Sequence, residues 1–403
     1  MNRARVFLTA FACAAAASAL AMPAARHPRT AGQGGRDGTT AAAGTPLLGV
    51  LGVSGLYFHN EQAAGVNDVT ITVNWDQAEP APGVFDSAYL GRVQAEIAAA
   101  HTGGLNVVLD PGLHITPDWV FALAGGTRFV DQYGDVFTGT TPSGDDVANA
   151  VTDLAVRAAE GTYLSWLGAQ FAPGEFVAVR QGGGPLGEIR YPDTVYNGHT
   201  NCYWAYDLSS QLALPLSVQG WVPGTGTTAQ AQAYLDAYNG NLVNFGVWLN
   251  GQLTADFATN VLVVLPGWGE RPGGAAKEVA SLLTLTMDEF NQGLDWTDLL
   301  RSLPNTPRTV AYTTYLDAAT YLPTLQLEDP ADYLATLVAG TQQRLGGENT
   351  GNGTMATLSL CVQRAKALGY IIFNWMDEAQ LVASTRNLDP AGPTFNLLGA
   401  AMK

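Results

Sequence analysis

Positively charged residues are scarce in this chain. Lys and Arg together number 19 of 403 residues, against 35 Asp and Glu, which gives a formal net charge of −16. Only three are lysines, Lys277, Lys366 and Lys403. Because nucleic acids and anionic membranes are both bound through clustered cations, the composition argues against either as a partner. A neutral ligand suits such an acidic chain better.

Several sequence motifs that indicate particular kinds of catalytic or binding site are also missing. The sequence has no HExxH, no CxxC pair and no Asp-rich glycine loop, so it predicts no metal site. It has no Gly-x-Ser-x-Gly, which excludes the usual serine-hydrolase elbow. No glycine-rich dinucleotide fingerprint follows the first apolar strand, and no cofactor is predicted.

Cysteine is rare as well, with three residues in the whole chain. Cys13 lies in the N-terminal apolar run, which leaves Cys202 and Cys361. In an oxidising compartment these two could form a disulfide. Isolated cysteines are equally found as small buried apolar residues, and the sequence leaves both alternatives open.

The N-terminus has the pattern of an export signal. Arg3 and Arg5 precede an apolar run that continues to Leu20, and small residues stand at a cleavage position after Ala21. This predicts a secretory signal peptide over residues 1–21. Residues 22–46 are rich in Ala, Gly, Thr and Arg without periodicity, which predicts a flexible linker. No later segment reaches about 18 uninterrupted apolar residues, so we expect a soluble, secreted protein.

Residues 47–403 show apolar runs that alternate with amphipathic or Ala-rich stretches. The runs predict eight strands, at Leu48–Phe58, Val69–Trp75, Leu105–Leu109, Phe176–Arg180, Val261–Leu265, Thr309–Tyr315, Gln342–Gly347 and Tyr370–Trp375. The stretches between them predict seven helices, at Ser87–Ala100, Asp145–Leu167, Cys202–Leu214, Thr228–Leu249, Ala275–Leu283, Tyr333–Ala339 and Thr354–Leu368. Apolar strands separated by helices indicate a parallel sheet covered on both faces. Eight of them predict a single-domain (β/α)8 barrel, with an open doubly wound sheet as the alternative.

Polar and aromatic residues follow the ends of these predicted strands. In a barrel of this kind the loops that follow the strands form the active-site face. The candidate substrate-binding residues are therefore Asn74, Trp75, Glu79, Asp110, His114, Arg190, Trp268, Tyr315, Asn349, Trp375 and Asp377.

Two glutamates among these loops, Glu188 and Glu348, are the candidate catalytic residues. Each is flanked by glycine and follows an apolar run, the fourth and the seventh predicted strand. Glycoside hydrolysis needs two carboxyl groups, one that donates a proton to the leaving oxygen and one that attacks the sugar or activates a water. The alternative is that each glutamate is a solvated loop residue paired with a nearby cation such as Arg190.

Other acidic and aromatic residues near the strand ends can be interpreted in two ways. Asp377 and Glu378 follow the eighth strand and could bind sugar hydroxyls, or could begin a helix whose N-terminus favours negative charge. Asp110 and Glu270 are similarly ambiguous. Trp75, Trp268 and Trp375 could stack on the apolar faces of sugar rings, or could belong to the core.

Two segments resemble known glycoside hydrolases. Residues 184–192, GPLGEIRYP, closely resemble the segment that carries the catalytic acid in β-amylases (glycoside hydrolase family 14), and Gly347-Glu348-Asn349 resembles the segment with their catalytic base. Residues 75–86, WDQAEPAPGVFD, are similar to a signature that follows the second strand in clan A barrels, notably family 42 β-galactosidases. Clan A enzymes usually have Asn before the acid, where this chain has Gly187.

The resemblance implies a divergent (β/α)8 glycoside hydrolase with Glu188 as proton donor and Glu348 as base or nucleophile. The two families differ in stereochemistry, and the β-amylase-like segment around Glu188 favours inversion. The expected substrate is a neutral oligo- or polysaccharide. A carbohydrate-binding barrel without turnover and a secreted scaffold or adhesion domain are the alternatives, and the sequence predicts no oligomeric state.

Overall fold

The computed structural model describes residues 46–125, 127–139, 146–318, 328–351, 353–389 and 392–402. The predicted signal peptide and all but the last residue of the predicted linker lie outside these ranges and stay predictions. Within the described ranges, no helix combines the length and the apolar character needed to cross a bilayer.

Eight parallel strands pair in sequence order, and the eighth pairs with the first, so that the sheet closes into a barrel. The strands are β1 Leu47–Val50, β2 Asp68–Thr72, β3 Asn106–Asp110, β4 Ala178–Gln181, β5 Asn260–Leu265, β6 Thr309–Thr313, β7 Arg344–Glu348 and β8 Ile372–Trp375. Each overlaps one predicted strand, and the predicted single-domain (β/α)8 barrel is confirmed. The largest error in the strand bounds is at the first, which ends at Val50 rather than Phe58.

Helices cover the outside of the barrel. They are α1 Phe58–Ala64, α2 Trp75–Ala78, α3 Ser87–Thr102, α4 Asp118–Phe121, α5 Leu154–Ala169, α6 Leu208–Ala213, α7 Thr228–Phe257, α8 Gly274–Ala280, α9 Asp288–Asn291, α10 Trp296–Ser302, α11 Pro330–Val338, α12 Met355–Ala367, α13 Glu378–Thr385 and α14 Phe395–Met402. The longest, α7, begins with a capping box between Thr227 and Gln230, which satisfies two otherwise free backbone donors. The predicted helix 145–167 begins at Leu154, and its first predicted residue lies outside the described part.

Alternate residues of each strand face opposite sides of the sheet. Val108, Leu262, Val310, Tyr312 and Ile372 form an apolar cluster inside the barrel. Their neighbours along the strands pack outward, in the core between the sheet and the helices. This alternation points Arg180 toward the interior, because it lies two residues after Ala178 of the same cluster. Glu348 faces the same way, since it contacts the hydroxyl of the inward-facing Tyr312.

The two cysteines that follow the predicted signal peptide are both buried and unpaired. Cys202 lies in the loop after β4 and Cys361 lies in α12. Of the two alternatives that the sequence left open, the structure supports small buried residues rather than a disulfide.

Two buried carboxyl groups lie away from the predicted catalytic pair. Glu61 in α1 and Asp68 in β2 are fully buried, and their four carboxyl oxygens make no hydrogen bond with any described residue. Burial, and then the charges of Glu378 and Asp68, raise the pKa of Glu61 to about 8. Burial raises the pKa of Asp68 to about 8 as well.

These raised pKa values predict how stability depends on pH. Between about pH 4, where the unfolded carboxyls titrate, and pH 8, the folded chain binds protons that the unfolded chain has released. The free energy of unfolding should therefore fall as pH rises through this window and level off above it. We expect Glu61→Gln with Asp68→Asn to flatten the slope and to stabilise the protein at pH 8 by on the order of 1–3 kcal/mol.

Urea unfolding of the double variant and the wild type from pH 4 to 9 measures this effect. Asp236→Asn, at an exposed position of α7, is the matched control and should leave the pH dependence unchanged. A double variant whose stability follows the same curve as the wild type would show that neither buried carboxyl is responsible.

Candidate active site

Glu348 is the last residue of β7 and lies almost fully buried inside the mouth of the barrel. Arg180 of β4 donates to both of its oxygens, from Nη1 to Oε2 at 2.7 Å and from Nη2 to Oε1 at 3.3 Å. The hydroxyl of Tyr312 on β6 donates to Oε2 at 2.7 Å. Three strands that are not all neighbours thus fix one carboxylate from inside the barrel. Two charge-assisted or strong donors on a carboxylate suit a residue that works as an anion.

Arg180 connects this carboxylate to a second acidic residue. Its Nε lies 4.0 Å from Oδ2 of Asp110, which ends β3, and its guanidinium lies over the ring of Tyr312. Burial disfavours the charge of Arg180, but Glu348 and then Tyr312 raise its pKa overall above the usual value. Arg180 is therefore a permanent cation at the centre of the mouth.

Glu188 lies in the loop after β4, at the end of a tight glycine-containing turn. Leu186 and Gly187 both have positive φ, 61° and 69°. A Cβ on Gly187 would approach Nδ1 of His114 to 3.1 Å, and one on Gly184 would approach the Glu188 carbonyl oxygen to 2.6 Å. Only glycine fits these two positions without displacing the loop. The turn therefore packs the backbone just before Glu188 against the side chain of His114.

The Glu188 side chain is buried and held from two sides. Its Oε1 accepts a hydrogen bond of 2.8 Å from the hydroxyl of Thr314, and its Oε2 lies 3.7 Å from Nε of Arg190. Burial, and to a smaller extent the charge of Glu348, raise the pKa of Glu188 to about 7 against the opposing effects of Arg190 and Thr314. Near neutral pH the group is thus present in both its protonated and its ionised form.

The two glutamates contact the same strand. Glu348 binds the hydroxyl of Tyr312, which faces the barrel interior, and Glu188 binds that of Thr314, which directly follows the end of β6. Tyr312 and Thr314 are only two residues apart along the chain, so the two carboxyl groups that they bind lie near each other at this end of the barrel. The electrostatic effect of Glu348 on Glu188 agrees with this proximity. The predicted pair is brought together at the mouth, with its two members in different environments.

Two further predicted residues lie beside Glu188. Arg190 is buried, and it also contacts Asp193 and donates to Oε1 of Gln292 at 3.3 Å. Tyr315 is half-buried, and burial and then the charge of Glu188 raise its pKa. Among the described residues, Nε of Arg190 has no hydrogen-bond partner, which leaves one donor directed toward Glu188.

Two of the residues predicted at the ends of β7 and β8, Asn349 and Asp377, hydrogen-bond to backbone groups. The Asn349 amide donates to the carbonyl of Met376 at 2.8 Å and accepts from its N–H at 2.7 Å. Trp375 is fully buried. Asp377 accepts from the N–H of Gln380 and caps α13, as its helix-start interpretation predicts.

Glu378, the other acidic residue after β8, does not face the two catalytic candidates. Its carboxylate accepts from the N–H of Ser54 and from its hydroxyl, the latter at 2.7 Å. It is buried at the start of α13, where a negative charge is favoured by the helix N-terminus.

The predicted residues after β2 form a separate structural cluster. Trp75 is fully buried, stacks on Tyr163 with ring centroids 5.3 Å apart, and donates from Nε1 to Oε2 of Glu79 at 2.9 Å. The other carboxylate oxygen of Glu79 accepts from the N–H of Gly83. Asn74 precedes α2, and its N–H donates to the hydroxyl of Tyr89. Of the two alternatives for Trp75 and Trp375, the structure supports core residues, because neither ring has an exposed face.

The predicted residues after β5, Trp268 and Glu270, lie in a loop at the end of the barrel where the strands end. Trp268 is half-buried. Glu270 accepts from the Asn239 amide, and burial and then the charge of Asp295 raise the pKa of Glu270 to about 8.

Sequence reasoning did not assign three residues that hold the pair, Arg180, Tyr312 and Thr314. All three lie on predicted strands, and an inward-facing charge within an apolar strand was the available signal for Arg180. Nothing local marks Thr314, because its role depends on a contact with a residue 126 positions away.

With this geometry in place, the chain can be compared with known proteins. No protein-family model matches the sequence, and no curated protein is significantly similar to it. The structure is similar to the catalytic domain of β-amylase from Paenibacillus polymyxa, with a TM-score of 0.62 and 18% identity over 90% of this chain and 98% of that one.

Two β-galactosidases are also similar in structure. That from the haloarchaeon Halorubrum lacusprofundi has a TM-score of 0.55 and 14% identity, over 88% of this chain and 57% of that one. That from Marinomonas ef1 has a TM-score of 0.55 and 11% identity, over 88% of this chain and 61% of that one. The resemblance that the sequence motifs indicated is confirmed in the fold, and this chain is a divergent barrel similar to both groups.

Proposed function

We propose that this protein is a glycoside hydrolase that cleaves O-glycosidic bonds of a neutral oligo- or polysaccharide. The observation that carries the proposal is the environment of the two glutamates. Glu188 is buried with a pKa of about 7, while Glu348 accepts from a buried arginine and a tyrosine hydroxyl. Two carboxyls in such different surroundings are suited to opposite roles in proton transfer.

In the proposed reaction, Glu188 gives its proton to the glycosidic oxygen as the bond to the anomeric carbon breaks. Glu348 then acts in one of two ways. In the first, it attacks the anomeric carbon as the bond to the leaving oxygen breaks and forms a covalent intermediate, which a water then hydrolyses while giving a proton to the ionised Glu188. In the second, it takes a proton from the water that attacks that carbon. Retaining enzymes hold their two carboxyl groups about 5–5.5 Å apart and inverting enzymes hold them about 6.5–9.5 Å apart, so the separation of the Glu188 and Glu348 carboxyls during the reaction distinguishes the two mechanisms.

Charge and fold support the substrate class, and the N-terminal sequence alone motivates the proposed location. The net charge of −16 disfavours acidic polymers, so we infer that the polysaccharide is neutral. Similar structures include a β-amylase and two β-galactosidases, which favours a carbohydrate ligand. The export pattern of residues 1–21 leads us to propose that the enzyme acts outside the cytoplasm.

Hydrolysis of a defined panel tests the proposal. The panel contains nitrophenyl α- and β-glycosides, soluble starch and neutral plant and bacterial polysaccharides, and release of new reducing ends is the readout. We expect turnover of at least one member. If the protein binds a polysaccharide of the panel but releases no new reducing ends from it, the result would instead support the carbohydrate-binding barrel.

The pKa of Glu188 predicts the pH dependence of the reaction. The acid must be protonated, so kcat/KM should fall as pH rises through about 7. The Thr314 hydroxyl donates to the ionised form and lowers this pKa. We therefore expect Thr314→Val to move the alkaline limb of the pH profile to higher pH.

Thr309→Val is the matched control for this shift. Thr309 is the first residue of β6, the strand that Thr314 follows; it is buried and donates its hydroxyl to the carbonyl of Pro304, away from both glutamates. It should change stability without moving the alkaline limb. If Thr314→Val leaves the alkaline limb unchanged, the titration of Glu188 is not the cause of the pH dependence.

A further inference from the structure

The loops after β3 and β4 contact each other beside the candidate active site. The Gln132 amide donates to the carbonyl of Asn201 at 2.6 Å and accepts from the N–H of Tyr203 at 2.8 Å. The Tyr133 hydroxyl donates to the carbonyl of Thr200 at 3.0 Å. The two segments are thus joined by several hydrogen bonds within a short stretch of each.

At this junction Asp131, Asp135 and His199 converge. One potential ligand atom from each lies within 4.8 Å of the others. Nδ1 of His199 lies 2.7 Å from Oδ2 of Asp135, and the ring of Tyr133 stacks on the imidazole at 4.2 Å. The imidazole is 44% exposed, so the junction is open to solvent on one side.

Asp131 supplies an independent indication of a ligand. The residue is fully buried, and its Oδ1 accepts from the N–H groups of Tyr133 and Asp135, both at 2.9 Å. Its Oδ2 has no hydrogen-bond partner among the described residues. The Cys202 thiol, at most a weak donor, lies beside this carboxylate. A buried carboxylate oxygen without a strong donor is costly, and a bound cation would remove that cost.

We propose that Asp131, Asp135 and His199 form a binding site for a divalent first-row transition metal, with Zn²⁺ as the expected ion. Zinc accepts imidazole nitrogen together with carboxylate oxygen, whereas calcium and magnesium prefer oxygen ligands throughout. Three protein ligands and a solvent-exposed side leave a fourth position for water. The usual spacing motifs are absent because the ligands come from two loops.

The site would hold the segment that follows Glu188. Within that segment the N–H of Cys202 donates to the carbonyl of Thr194, and Nε1 of Trp204 donates to that of Asp193, both at 3.0 Å. Asp193 in turn contacts Arg190. The metal would thus cross-link the loop that follows β3 to the loop that follows β4 and carries Glu188.

Zinc binding to the full chain, first dialysed against a chelator, tests the proposal. Calorimetric titration with ZnCl2 and metal analysis after gel filtration give affinity and stoichiometry, and thermal unfolding gives the stabilisation. We expect one zinc per chain and a higher Tm with zinc, because the ion binds the folded state. His199→Ala and Asp135→Asn should each weaken binding by at least about tenfold.

His101→Ala is the matched control. His101 also pairs with a carboxylate, at 3.4 Å from Glu175, but belongs to no group of three potential ligands in the described part of the chain. This variant should bind zinc like the wild type. The proposal is overturned if the wild type binds no stoichiometric zinc, if His199→Ala binds as tightly as the wild type, or if CaCl2 binds the site more tightly than ZnCl2.

Discussion

Glu188→Gln is expected to lower kcat/KM by about 10²–10⁴-fold on natural glycosides, where the leaving alkoxide needs a proton. The loss should shrink to about tenfold or less on dinitrophenyl glycosides, because their leaving group departs without protonation. Gln keeps the acceptor for the Thr314 hydroxyl and removes only the acidic proton. Rates on a series of aryl glycosides with graded leaving groups measure the difference.

Glu175→Gln controls for the loss of a carboxyl as such. Glu175 pairs with His101, remote from the catalytic pair, and its replacement should leave kcat/KM within about threefold of the wild type. A Glu188→Gln variant whose loss is the same for every leaving group would contradict the role of proton donor. So would turnover that survives the substitution undiminished.

The second large effect concerns stability. Arg180→Met removes the only cation that hydrogen-bonds Glu348 in the described structure and leaves a buried carboxylate with the Tyr312 hydroxyl. Breaking a buried ion pair from one side costs about 3–5 kcal/mol. We expect a loss of unfolding free energy of that size, measured by urea denaturation at pH 7.

The double variant Arg180→Met/Glu348→Met separates the unpaired charge from lost packing. Removal of both charges should recover most of the stability, since well-packed apolar replacements of a buried pair are often neutral. Arg301→Met serves as the exposed control, because its partner Asp298 lies 3.9 Å away and both side chains are largely exposed. Its effect should stay below about 0.5 kcal/mol. A single variant as stable as the wild type would show that Glu348 does not depend on Arg180.

Sequence pattern predicted the barrel because apolar runs of strand length are local features. It failed where an apolar stretch changes structure midway. The first predicted strand extends to Phe58, but β1 ends at Val50, the chain bends at Leu51 and Gly52, and Phe58 begins α1. Hydrophobicity alone does not distinguish a buried strand residue from a buried residue of a loop or helix start.

The site was only partly predictable for a related reason. Glu188 and Glu348 could be proposed because glycines and strand ends mark them locally, whereas Arg180 and Thr314 act through contacts between distant strands. Trp75 shows the opposite case. Its motif is visible in the sequence, yet the structure uses Trp75 and Glu79 to build a buried cluster. A motif identifies residues that matter without showing whether they face the ligand or the core.

The central claim is that Glu188 and Glu348 act together on one glycosidic bond. It is tested most directly by kcat/KM of Glu188→Gln, Glu348→Gln and the double variant on a glycoside with a poor leaving group that the wild type hydrolyses. Residues that act as a unit have non-additive effects, so each single variant should lose at least about 10²-fold and the double variant little more than the worse of them. Either single variant within about threefold of the wild type would contradict the account, as would losses that multiply in the double variant.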